Sequence, residues 1–384
     1  MRSTTRAAAG ALALAAAMGI GRFAYTALLP PAQSALGFDD RTAGAIASVN
    51  LVGYLAGALV ARSLRPAGLR RLGLRAGLAA TAVATALLAV ATSAVGWGVL
   101  RAAAGLASGL VFVLASAAAL EPGDDSAAPR PGLLYAGVGA GIALSGVTAA
   151  LSSSADWRAP WLWLAAAAAL LGAPAWRVLA RAPSASAPAL RSQATSVATG
   201  EEPPSISLPR LSCAYFLEGL GYIVSGTFAV VAVQRTPGLE ALAAWTWALA
   251  GLAAMPSALA WTWLGRRLGL RRALATAFAV QCAGMALPSL STSAAAAISG
   301  AVFFGGTFIG IVALTMTAAR EIAPAAVARL IASLTVLYGI GQAIGPLAAG
   351  AISRRTGDPR SAVLAAAVAV GIGAAIIAWP RARR

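Results

Sequence analysis

The segment from Ser212 to Arg235, SCAYFLEGLGYIVSGTFAVVAVQR, sets one carboxylate, Glu218, inside an apolar run long enough to cross a bilayer. Only a helix that closes its own hydrogen bonds carries such a run through hydrocarbon. A charge placed there costs about 2.5–3.5 kcal/mol on insertion scales, so a residue kept at that cost needs a partner or a task. Tyr222 follows at i+4 and Ser225 at i+7, which puts three polar side chains on one helical face. That face is expected to look into protein.

The same apolar pattern recurs along the chain. Of the 384 residues 59% are hydrophobic and 11% charged, about half the charge of a soluble domain. Spans are predicted near 7–31, 41–62, 72–93, 97–120, 131–154 and 159–180, and again near 211–234, 240–264, 270–290, 294–319, 324–353 and 359–380. Between the two sets lies a Pro/Ser/Ala-rich stretch, 181–210, with no apolar period, which reads as a cytoplasmic linker. The expectation is an all-α integral membrane protein of twelve transmembrane helices, with six in 1–180 and six in 211–384. The opening, MRSTTRAAAGALALAAAMGIGRF, has the make-up of a secretory signal. Its apolar run continues past Arg22 to Pro30 and Pro31, so it is read as the first span.

All 29 basic residues are arginine, and the chain has no histidine to relay a proton or bind a metal. A net charge of +17 would fit nucleic acid if it gathered on a soluble face, but the arginines sit in short gaps between apolar runs. No nucleic-acid partner is expected. With both termini in the cytoplasm, 21 arginines fall inside and six outside, and Arg22 and Arg101 lie within spans. That asymmetry is the one topology requires. The stretch from Ser353 to Arg360 dissents, placing three arginines outside. Trp97, Trp157, Trp161, Trp176, Trp261 and Trp379 lie near helix ends and are expected to anchor at the interface, while Trp245 and Trp247 are expected either to anchor there or to line an apolar cavity wall. Cys213 and Cys282, inside spans, read as small buried apolar residues.

The halves echo one another. RLGLR occurs at 71–75 and 267–271, Tyr25 and Tyr222 lie 197 apart, and GLVF at 109–112 answers GAVF at 300–303. A shared offset predicts two pseudo-symmetric six-helix bundles, a parallel-repeat transporter architecture.

Four segments, GIGRFAYTALLP at 19–30, ASVNLVGYLAGAL at 47–59, LEGLGYIVSGTF at 217–228 and GIGQAIGPLAAG at 339–350, carry a family resemblance along essentially the whole chain. The sequence resembles the major facilitator superfamily and, within it, the bacterial YbfB/YjiJ-type permeases. The resemblance implies alternating access around a central cavity, in the bacterial cytoplasmic (inner) membrane. The superfamily's loop signature is kept only as Gly57, Arg62, Arg70 and Arg71, with Ala61 where an acid would stand. Its second-half counterpart, Arg267, Gly269, Arg271 and Arg272, also lacks the acid. These loops are the gating candidates the resemblance implies. Arg101 with Gly105 matches the fourth-helix pattern, and in proton-driven members that arginine is associated with proton coupling.

Arg22 sits midway along the first span at nearly the repeat equivalent of Glu218. The two are expected to approach across the cavity, either as a pair that proton or substrate binding breaks or as a static packing lock. Glu218 is the candidate proton carrier, drawing on a proton gradient. Tyr25, Asn50, Tyr54, Tyr222, Tyr338 and Gln342 supply further polar groups, able to hydrogen-bond a substrate or to join helices at about 0.6 kcal/mol each. Glycine pairs Gly53/Gly57, Gly105/Gly109 and Gly137/Gly141 predict close helix approach, and Pro346 a bend in the eleventh span.

No phosphate-binding loop, metal-ligand set or catalytic constellation is present, so neither a cofactor nor an enzyme activity is expected. The reading is a monomeric, proton-coupled secondary active transporter of a small organic solute, which Arg22 and Arg101 would suit to an anionic or amphipathic compound. The alternative is a non-transporting receptor or regulator on a carrier scaffold.

Overall fold

In the computed structural model, which describes residues 2–120, 130–152, 156–179 and 205–379, every apolar run is a helix. The first half holds α1 (Thr4–Leu36), α2 (Asp40–Ser63), α3 (Ala67–Leu88), α4 (Ala94–Ala119), α5 (Arg130–Leu151) and α6 (Ala159–Val178). The second holds α7 (Leu208–Gln234), α8 (Ala243–Leu268), α9 (Leu270–Leu290), α10 (Ala294–Ile322), α11 (Val327–Thr356) and α12 (Pro359–Ala378). Of the expected linker 181–210, residues up to 204 lie outside the described residues, and Leu208–Arg210 already belong to α7.

Short polar residues mark the ends. The side chains of Asp39, Ser93, Ser293 and Asp358 accept from the first-turn amides of α2, α4, α10 and α12. Gly37 and Gly357, at φ +70° and +73°, close α1 and α11 in the left-handed region.

Glycine rows set the packing inside the first bundle. A Cβ on Gly105 or Gly109 would stand 2.0 or 2.1 Å from the carbonyl oxygens of Asn50 and Tyr54, and one on Gly53 or Gly57 would strike α4 in return. Likewise a Cβ on Gly137 would lie 1.9 Å from the Ala11 oxygen of α1. Backbones this close gain dispersion contacts that lipid tails cannot match. Pro346 is carried within an unbroken α11.

The bundles meet chiefly along α2 with α11, α5 with α8, and the second half of α1 with α7. The first half of α1 packs instead on α4, α5 and α6 of its own bundle, and neither α4 nor α10 makes a substantial cross-bundle contact among the described residues. The Asp40–Arg235 contact closes the end that holds the α1–α2, α7–α8 and α11–α12 connections, while the α5–α8 seam runs on toward the opposite end, where a Cβ on Gly132 would lie 2.4 Å from the Leu259 side chain.

Several tryptophans depart from the interfacial expectation. Trp97, Trp157 and Trp161 are buried together, with Trp97 and Trp161 edge to face at 5.3 Å, and Trp247 is buried between the bundles. Trp379 and Trp245 are exposed as expected of anchors. Of the cysteines, Cys213 faces outward and not into the core.

Candidate functional site

The first span is not one continuous α-helix. It runs as Arg2–Leu14, widens into a π-helical turn over Ala15–Ile20, loses its regular hydrogen-bond ladder at Gly21–Phe23, where the Gly21 and Phe23 amides bond five residues back, and resumes at Ala24–Leu36. Gly19 and Gly21 make the break sterically open, since a Cβ on Gly19 would sit 2.4 Å from the Gly141 backbone. Carbonyls freed by such a break inside a membrane must find other donors. They do so from side chains. Arg101 Nη1 donates to Gly21 O at 2.7 Å, its Nη2 to Arg22 O at 2.8 Å, and Trp247 Nε1 to Phe23 O at 3.2 Å. Three consecutive carbonyls are thus held by α4 of one bundle and α8 of the other.

The break turns Arg22 toward the second bundle. Its guanidinium donates to Tyr222 Oη at 3.1 Å and to Gln342 Oε1, and its carbon lies 4.6 Å from the Tyr54 ring centre and 5.0 Å from that of Phe23. Nε has no partner. Behind Tyr222 runs a row of near-parallel rings: Tyr215 stacks on Tyr338 at 4.3 Å, Tyr338 on Tyr222 at 5.6 Å, and Tyr222 on Phe308 at 5.8 Å. A void of about 20 Å³ lies beside Arg22, lined also by Tyr25, Asn50, Arg101 and Thr227. It has room for about one water.

Glu218 is wholly buried, but the expected contact with Arg22 is absent. Its Oε1 accepts from Gln281 Nε2 of α9 at 2.7 Å, Gln281 Oε1 in turn accepts from Thr307 of α10 at 3.0 Å, and Glu218 Oε2 has no partner. The acid faces the interior of its own bundle. Tyr222, one turn further on, reaches across to Arg22 instead. The shared face of Glu218, Tyr222 and Ser225 does look into protein, each being at most 4% exposed.

The remaining expected cavity residues divide by partner. Tyr54, Tyr222 and Gln342 converge on Arg22, and Tyr338 supports Tyr222 by stacking. Asn50 Nδ2 donates to Arg101 O at 2.7 Å and Tyr25 Oη to Ala43 O at 2.9 Å, so both tie helices together while lining the void. Arg62, Arg71, Arg267 and Arg272 are exposed and Arg70 is half-buried, while Gly269, at φ +83°, makes the turn between α8 and α9. Arg271 Nη1 donates to the Ala378 carbonyl at 3.1 Å, capping α12 within its own bundle.

The cross-bundle latch is at the opposite end. Asp40, at the first turn of α2, accepts from both terminal nitrogens of Arg235 at 2.7 and 2.8 Å, from Gln33 Nε2 at 2.9 Å and from Ser353 Oγ. Beneath it, the Gly44 and Gly350 positions bring α2 and α11 into backbone contact. Two of the three dissenting arginines have acids here as well. Arg354 lies 3.6 Å from Asp39 and Arg360 2.8 Å from Asp358. Hydrogen bonding to Thr42 holds the Asp39 carboxyl below its ordinary range, with Arg354 adding to the effect, and hydrogen bonding to Arg360 does the same for Asp358. The Asp39–Asp40 pair before a span was the available signal in the sequence, and Gln281 and Thr307 had none beyond being polar in apolar runs.

Several solved structures share this fold at low sequence identity. A point variant of the nucleoside transporter NupG matches with TM-score 0.72 at 14% identity, covering 97% of this chain and 98% of that one. A bacterial homologue of the human lysosomal transporter Spinster, inward-facing and unoccupied, gives TM-score 0.71 at 16% identity over 98% and 96%. The human organic anion transporter MFSD10 gives 0.63 at 16% identity over 97% and 99%. No curated protein matches the sequence. The family described as "Uncharacterised MFS-type transporter YbfB" matches residues 14–378, and the chain belongs to it: this is a multi-pass membrane transporter of the major facilitator superfamily.

Proposed function

We propose that the chain is a proton-coupled secondary active transporter of a small organic solute, working by alternating access as a monomer in the bacterial cytoplasmic membrane. Both termini and the arginine-rich loops face the cytoplasm, which puts the Asp40 latch outside and makes this a state closed at its outer end. In the state open at that end Arg62, Arg70, Arg71, Arg267, Arg271 and Arg272 close the inner end.

One observation supports the coupling above others: Glu218 is a carboxyl buried at mid-span that, among the described residues, has a single hydrogen-bond donor, Gln281, and no cation. Ionised, it is an uncompensated charge in the bilayer interior, and a bound proton removes that charge. Its protonation therefore biases whichever arrangement of the bundles leaves it dry. Tyr222, one helical turn away, carries the change to Arg22 through the 3.1 Å hydrogen bond. Arg101 serves this cycle by holding the broken segment that orients Arg22, not by exchanging a proton itself.

Proteoliposomes with an imposed pH gradient test the reading. Wild-type protein is expected to accumulate its solute only with the gradient, while Glu218→Gln retains exchange of solute for solute and loses accumulation. Undiminished accumulation by Glu218→Gln would remove Glu218 from the coupling.

A further inference from the structure

We propose that Arg22 is the docking point for the charged end of the substrate, and that the substrate is an organic monoanion with a flat apolar body, an aromatic monocarboxylate being the simplest case. This rests on the transport reading above and adds the class of cargo.

Arg22 is a buried cation, 5% exposed, that touches only neutral partners. No carboxylate pairs with it among the described residues, and its Nε has no acceptor. A guanidinium takes a carboxylate through two parallel hydrogen bonds, stronger than those it makes to a phenol or an amide. Arg22 is the one guanidinium of the site able to turn a two-point fork to a carboxylate. Both terminal nitrogens of Arg101 are committed to the Gly21 and Arg22 carbonyls, which leaves only its Nε without a partner, and Arg235 is committed to Asp40. A second carboxylate would find no second fork.

The surroundings set the body of the ligand. Phe23 and Tyr54 flank the guanidinium face, and the Tyr222, Tyr338 and Phe308 rings present planes within 10° of parallel. Flat apolar walls next to one cation favour a planar ring bearing one carboxylate. Binding is also coupled to motion. Tyr222 and Gln342 belong to the bundle opposite Arg22, so a carboxylate that takes their place undoes two cross-bundle hydrogen bonds. The void of about 20 Å³ admits no ring, and the ligand enters only as the bundles part.

The test uses the full-length protein in detergent with benzoate, phenylacetate, benzamide, benzylamine and phthalate, read by thermal shift and by tryptophan fluorescence. Benzoate or phenylacetate is expected to bind roughly tenfold or more tightly than benzamide, with phthalate and benzylamine weaker than either carboxylate. Arg22→Gln is expected to abolish the preference and Arg22→Lys to keep part of it. Should Arg22→Gln fail to fold, Gln342→Leu frees the guanidinium of a neutral competitor and is expected to tighten carboxylate binding several-fold. Equal binding of carboxylate and amide, no carboxylate binding, a preference surviving in Arg22→Gln, or unchanged affinity in Gln342→Leu each overturns the inference. Carboxylate binding without gradient-driven uptake counts against proton coupling alone. Gradient-driven uptake of an uncharged or cationic solute counts against the monoanion alone.

Discussion

Arg235 and Asp40, contributed by opposite bundles, meet as a two-point pair, with Nη2 2.7 Å from Oδ1 and Nη1 2.8 Å from Oδ2. Asp40 is 6% exposed and its partner 43%, so the acid is dry while the base reaches water. Gln33 and Ser353 fill the remaining lone pairs, which makes this carboxylate a joint among α1, α2, α7 and α11.

Asp40→Asn weakens that joint without changing its shape. Losing charge-assisted bonds is worth about 1–3 kcal/mol, an expected shift of roughly 5- to 150-fold toward the state open at that end. A cysteine placed at Ala47, with Cys213 and Cys282 changed to serine, is expected to react faster with a membrane-impermeant maleimide in the Asp40→Asn background. Equal labelling rates would show that closure does not depend on the pair.

Arg101→Lys keeps the charge and loses the fork. One ammonium cannot serve both the Gly21 and Arg22 carbonyls at the observed separations from two nitrogens, so at least one buried acceptor is left unmet, at about 1–3 kcal/mol. A lower unfolding temperature in detergent is expected. A larger drop is expected for Arg101→Gln, and no change in either would mean the break is satisfied in another way.

Trp247→Phe removes the cross-bundle donor to the Phe23 carbonyl, which also accepts from the Thr26 amide at 3.3 Å, while leaving a ring of similar shape. Because that bond crosses between bundles, the expected cost of about 1 kcal/mol falls on the closed end. Faster labelling at Ala47→Cys with an unfolding temperature close to wild type is the expected pattern. A fall in unfolding temperature with unchanged labelling would assign the bond to folding alone.

Glycines separate two kinds of contact. Gly105→Ala drives a methyl to 2.0 Å from the Asn50 oxygen within one bundle, and Gly251→Ala drives one to 2.2 Å from the Ala143 nitrogen across the two. The first is expected to reduce folded yield, as overpacking by one methyl costs about 1–3 kcal/mol. The second is expected to spare the fold and disfavour the sealed state. Size-exclusion yield and maleimide labelling distinguish them.

Much of this protein could be read from residue order. Twelve spans, their pairing into two sets of six and the glycine rows between α2 and α4 all follow from a local rule: backbone inside hydrocarbon must bond to itself, and close backbones need small residues. The depth of Arg22 and Glu218 was legible for the same reason, because a repeat offset fixes how far along a helix a residue lies.

What the repeat could not supply was rotation. Each helical residue turns the side chain by about 100°, and the opened turn at Gly21–Phe23 resets Arg22 relative to a regular helix. Depth alone therefore pairs Arg22 with Glu218, whereas packing directs Glu218 to Gln281 within its own bundle and gives Arg22 to Tyr222 and Gln342. Trp247, Gln281 and Asp40 acquire their partners over separations of 224, 63 and 195 residues. Hydropathy is summed over neighbours in the chain, while a buried hydrogen bond is settled by which donor the folded bundles bring within 3 Å of an acceptor that water cannot reach.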